Sequence, residues 1–121
     1  MKTINGQLVS EAQIDRWVTE AENGYDVETL RRRGLEERNL KMEVRRSATK
    51  HGIEPEDSIV AATSGCAFHA PLDDENPQRE LRLGFDTSMR LLELVVLLWD
   101  DGTETIIHSM KARKQYRSLL G

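Results

Sequence analysis

The sequence predicts an α+β domain of N-terminal helices, then an antiparallel sheet of about four strands, then a C-terminal helix. Three observations carry this. Apolar residues before Gly65 recur at helical spacing, those from Cys66 onward alternate or run continuously, and the polar breaks between the later runs are short enough for hairpins. Helices first and an antiparallel meander after them place the helices on one face of the sheet.

The first helix is "SEAQIDRWVTEAENG". Ser10 and Gln13 form a capping box, Ile14, Trp17, Val18 and Ala21 make its apolar stripe, and Gly24 ends it. Asp26 caps a second short helix, "VETLRRRG", closed by Gly34. "LEERNLKMEVRRSATKHG" reads as a charged helix starting at Leu35 or at Met42 and closed by Gly52. "IEPEDSIVAATSG" then offers Pro55 at a helix start, acids in its first turn where the helix dipole favours them, and Gly65 as its stop.

"CAFHAPL" is the first strand, and "PLDDENPQ" a polar turn in which Asp73, Asp74 and Glu75 are solvated. In "RELRLGF", Leu81, Leu83 and Phe85 share one face while Glu80 and Arg82 take the other. "RLLELVVLLW" is apolar on both faces except at Glu93, which marks a central strand covered on two sides. "DDG" signals a hairpin leading into "TETIIHSM". The closing helix buries Ala112, Tyr116 and Leu119 along one stripe and carries Lys111, Arg113, Lys114 and Arg117 around it.

Composition narrows the functional classes. The 121 residues hold 17 Lys+Arg against 21 Asp+Glu, a formal net charge of −4, which suits one soluble domain. The longest apolar run, Leu94 to Trp99, is far too short for a bilayer core of about 30 Å, and "MKTINGQLVS" has no signal-type apolar stretch, so the cytoplasm and no membrane partner are expected. Cys66, the single cysteine, excludes an intrachain disulfide and reads as a small buried hydrophobe. No phosphate-binding glycine loop, nucleophile elbow or His pair at metal spacing occurs, so neither a metal nor another cofactor is expected.

"HGIEPEDSI" followed by "LRLGFDTSMRLLELVVLLWDDGTETIIHSMKARKQY" resembles the toxins of bacterial toxin-antitoxin pairs in the RelE superfamily, close to the BrnT group. In that group a His-Gly-Ile/Val element opens a helix, and strands like "RLLEVVV" and "IISARK" follow in the same order before a basic helix. The resemblance covers residues 42–121 and implies a small α+β fold, neutralisation by a DNA-binding antitoxin and, in active members, metal-independent cleavage of mRNA. The preceding "SEAQIDRWVTEAENGYDVETLRRRG" is similar to the leading segment of the antitoxins encoded beside such toxins, without their ribbon-helix-helix domain. The expected organisation is therefore a helical antitoxin-like segment over residues 1–41 and a toxin domain over residues 42–121. Trp17, Leu30, Arg31, Arg32 and Arg33 would be the contacts of the first with the second.

RNA cleavage by attack of a 2′-hydroxyl requires a base, an acid for the departing 5′-oxygen, and cations for the charge growing on the phosphoryl oxygens. His108, near the end of the last strand and beside the basic helix, is the first candidate for proton transfer, since histidine ordinarily titrates near neutral pH. By strand alternation it shares a face with Ile106 and Met110, which equally suits a core histidine. Arg82 and Tyr116 join it as candidates, against the plainer roles of pairing with Glu80 or Glu93 and of anchoring a helix. Lys111, Arg113, Lys114 and Arg117 are phosphate candidates, with Arg113 favoured through the resemblance. His51 suits the negative end of a helix dipole, and His69 shows no partner in sequence.

Two functions follow. The first is a ribonuclease toxin acting on RNA, including ribosome-bound mRNA, and restrained by a cognate antitoxin or by its own N-terminal segment. The second is a non-catalytic toxin fold that binds an antitoxin or a second copy of itself. The acidic balance weighs against the first, because phosphate neutralisation calls for excess positive charge.

Overall fold

A computed structural model describes residues 2–33, 42–74 and 78–120. Asn5 and Gly6 take φ of 52° and 78°, the left-handed pair that a two-residue hairpin turn needs, and join β1 (Thr3–Ile4) to β2 (Gln7–Leu8). Asp100 fastens this turn by accepting from Thr3 Oγ1 at 2.7 Å, Asn5 N at 3.0 Å and Gly6 N at 2.8 Å.

Helix α1 (Glu11–Asn23) starts where the capping box places it, with Ser10 Oγ accepting from Gln13 N at 3.0 Å, and stops at Gly24, whose φ is 93°. Ile14, Val18 and Ala21 are its buried stripe, with Trp17 partly covered. Asp26 accepts from Thr29 N at 2.9 Å and so caps α2 (Val27–Arg33). The expected stop at Gly34, and a helix starting at Leu35, lie outside the described residues.

Beyond Met42 the structure departs from the predicted helix. Met42–Val44 is strand β3, and a short 3-10 turn follows over Arg46–Thr49. Parallel pairing with the last strand, Met42 to Glu104 and Val44 to Ile106, supplies backbone partners that three residues of a charged segment could not find alone. Helix α3 (Pro55–Ala62) has Pro55 in its first turn with Glu56 and Asp57, as expected.

Strands β4 (Cys66–Pro71), β5 (Arg79–Phe85), β6 (Leu91–Leu98) and β7 (Glu104–Lys111) form the antiparallel meander. Among the described residues the sheet, with β3, has five strands in the order β3-β7-β6-β5-β4 and is mixed, in place of the about four antiparallel strands expected. Its helices also lie on both faces. Leu92, Leu94, Val96 and Leu98 cluster with Ala61 and Ala62 of α3, while Val95 and Leu97 cluster with Ile14, Val18 and Ala21 of α1 and Leu30 of α2. A central strand apolar on two sides needs both covers, and α1 and α2 supply the second. The closing helix is shorter than predicted: α4 spans Lys114–Arg117, then a 3-10 turn covers Ser118–Leu120, with Ala112, Tyr116 and Leu119 buried as the stripe requires.

One irregularity positions the site. Val95 of β6 faces His108, but Val96 faces Ile106, so Ile107 is an extra residue in β7. Ile106 therefore lies with α3, and Ile107 and Val95 lie on the α1 side. No helix among the described residues is long and apolar enough to cross a membrane.

Candidate functional site

Glu93 is the one charged residue of β6 and is 1% exposed. Its carboxylate accepts from Arg113 N and Nε at 2.9 Å each, from Arg113 Nη2 at 2.7 Å and from His108 Nε2 at 3.1 Å. Burial alone would push this acid up; the bonds from Arg113 and His108 outweigh it and hold its pKa below the ordinary glutamate value. His108 is thereby fixed in the sheet with 1% exposure.

Arg113 continues outward from Glu93 to the end of α1. Its Nη1 donates to the Glu22 carbonyl and its Nη2 to the Ala21 carbonyl, both at 2.6 Å. These are last-turn carbonyls, the negative pole of the helix, so the guanidinium caps the C-terminus of α1. The approach is close because Gly24 follows: a Cβ there would lie 2.9 Å from Gln115 Nε2 and 3.4 Å from Tyr116 Oη. Tyr116 is fully buried, and its hydroxyl accepts from Tyr25 N at 2.6 Å.

The Glu22 carboxylate reaches the other way, to the turn after β3. Lys50 Nζ lies 2.7 Å and His51 Nε2 3.0 Å from its Oε1. Desolvation raises this acid, but the Lys50 and His51 bonds prevail and its pKa is lowered. The His51 ring meets the His108 ring edge-on, with centroids 5.9 Å apart and planes at 79°. Two imidazoles, a guanidinium, an ammonium and two carboxylates thus meet where α1 ends on the sheet. Imidazoles can move protons and the cations can hold a phosphate, but in this arrangement carboxylates and helix carbonyls occupy the donors.

The structure brings His108, Arg113 and Tyr116 to one face and leaves Arg82 on the other. Arg82 is 3% exposed and donates to Glu80 at 2.6 Å and to the Ala62 carbonyl at 2.8 Å, with Glu104 at 2.9 Å. The expected polar face of β5 is therefore a buried ion network under α3, where an arginine matched by acids cannot serve a phosphate. His69 lies near it, 3.7 Å from Glu80. Lys111, Lys114 and Arg117 are exposed. His108 shares its face with Val95 and Met110 rather than with Ile106, because the extra residue at Ile107 shifts the alternation.

Of the antitoxin-like contacts, Leu30 is 1% exposed in the shared core, and the Trp17 ring carries the Arg79 guanidinium 5.2 Å from its centre. The side chains of Arg31, Arg32 and Arg33 lie outside the described residues. The sequence does not mark Glu22 or Lys50, offers Glu93 only as a partner of Arg82, where the structure gives it to Arg113 and His108, and assigns His51 a dipole role. The Lys50-His51-Gly52 run was the available signal, since Gly52 at φ 80° turns the backbone directly after the imidazole. No family model, curated protein or solved structure matches this sequence.

Proposed function

We propose that the protein is a toxin-type ribonuclease fold held shut by its own N-terminal segment. The observation that carries this is the seating of α1: Arg113 donates to two carbonyls of its last turn, and the Glu22 carboxylate lies between Lys50 and His51. A helix C-terminus with a carboxylate beside it offers oxygens and negative charge as a phosphodiester does, so α1 and RNA would compete for the same donors. In the opened form Arg113 and Lys50 hold the phosphoryl oxygens, one imidazole takes the 2′-hydroxyl proton, and the other protonates the departing 5′-oxygen. The products are a 2′,3′-cyclic phosphate and a 5′-hydroxyl, with no metal required. Lys111, Lys114 and Arg117 extend the cationic surface along the strand.

The test uses the full-length protein with Glu22→Lys and Gly24→Val together, which repels Lys50 and forces α1 away from Gln115. The parent is expected to leave an RNA oligonucleotide intact, the double variant to cleave it, and a further His51→Ala change to abolish cleavage. A double variant with native circular dichroism, exposed Glu22-region amides and no cleavage would overturn the proposal. A second reading, a non-catalytic binding fold, is favoured by Glu93, which occupies Arg113 from within the sheet whatever α1 does. It predicts partner binding without RNA cleavage in the same variant.

A further inference from the structure

Glu22 from the end of α1, His51 from the turn before α3 and His108 from β7 each present one ligand-type atom, all within 4.8 Å of one another. We propose that these three side chains bind a divalent cation of the zinc type, which fastens the end of α1 to the sheet. The inference goes beyond the ribonuclease proposal and does not depend on it.

Donor chemistry selects the ion. Two imidazole nitrogens and one carboxylate oxygen suit Zn²⁺ with water in the fourth position, whereas Mg²⁺ and Ca²⁺ favour oxygen donors. Ligand bonds of about 2.0–2.2 Å place tetrahedral donors about 3.3–3.6 Å apart. Glu22 and His51, at 3.0–3.1 Å, already stand close to that spacing. The remaining gap closes by movement of His51, whose imidazole side is 31% exposed, because His108 is fixed.

His108 is held from behind. Its Nε2 is committed to the Glu93 carboxylate at 3.1 Å, which sets the ring and leaves the other nitrogen for a further partner. A carboxylate behind a histidine is the usual support of a metal-ligating imidazole, and here Arg113 bonds hold that carboxylate in turn. Lys50 opposes the ion by charge. Its ammonium arm is 51% exposed and free to withdraw to solvent, so the cation replaces the ammonium beside Glu22.

The test titrates the EDTA-dialysed full-length protein with Zn²⁺ by calorimetry and with Co²⁺ by visible absorption. One equivalent should bind, with the strong visible bands of four-coordinate Co²⁺, a raised thermal midpoint, and no competition from Mg²⁺. His51→Gln and Glu22→Gln, both at partly exposed side chains, should each weaken binding about tenfold or more, while His69→Gln beside Glu80 leaves it unchanged. Absence of saturable Zn²⁺ binding, or equal affinity in His51→Gln, overturns the site. Neither readout involves RNA, so the metal site and the ribonuclease proposal fail independently.

Discussion

Replacing Glu93 by Gln removes one buried charge while keeping its shape. The four bonds the carboxylate accepts are charge-assisted, and the amide can accept on one side only, presenting its own N–H groups to Arg113 or His108 on the other. Breaking a buried pair by removing one partner costs about 3–5 kcal/mol. Because the Arg113 side is 25% exposed, water compensates part of that loss, which places the expected cost at about 3 kcal/mol. For a protein of this length that lowers the thermal midpoint by about 10 °C. Urea titration followed by circular dichroism at neutral pH measures it. The acid limb supplies a second check. The folded pKa of Glu93 lies below its ordinary 4.5, so its contribution is complete above that value and disappears as the pH falls through the lowered folded one. The gap between parent and variant should therefore narrow in acid. A loss under about 1 kcal/mol, or a gap that stays constant in acid, would refute the assignment of Glu93 as the anchor of Arg113 and His108. A cycle with Arg113→Ala should return a coupling of about 0.5–3 kcal/mol.

Tyr116→Phe deletes the acceptor of the Tyr25 amide and should cost about 1–3 kcal/mol; hydrogen exchange at Tyr25 should accelerate, and unchanged protection would contradict the contact. Gly84→Ala places a Cβ 1.8 Å from the Ala61 carbonyl oxygen, backbone against backbone, so α3 must lift from β5 at a cost of about 3 kcal/mol or more in urea unfolding. Bonds from Gly6, Thr3 and Gln78 hold the Asp100 carboxyl at about 2. Its support of the first hairpin is therefore complete above the ordinary 3.8 and lost as the pH falls toward 2, which amide exchange at Asn5 and Gly6 will follow; Asp100→Asn should open the turn at neutral pH.

Local chemistry made much of the fold legible. The Ser10 cap, Asp26, Pro55 and the apolar runs from Cys66 to Met110 each act within a few residues, and their elements lie where those residues place them. The Asn5-Gly6 turn carries its own local signal too, although its strands are only two residues long and lack an alternating pattern. Met42–Val44 was not legible, because its partners sit some 60 positions away in β7.

What the sequence by itself determined was helices α1 to α3, the four strands of the meander, their apolar stripes and the basic closing helix, all properties of near neighbours. Beyond the local caps and the Arg82–Glu80 pair, which the sequence already offered, tertiary structure decided which polar groups meet. The extra residue at Ile107 set the phase of His108, the cover from α3 turned the polar face of β5 into an ion network around Arg82, and the seating of α1 brought Glu22 to His51. The physical reason is range: caps and periodicity act along a few residues, whereas an ion pair or a ligand cluster depends on groups that become neighbours only when the core closes.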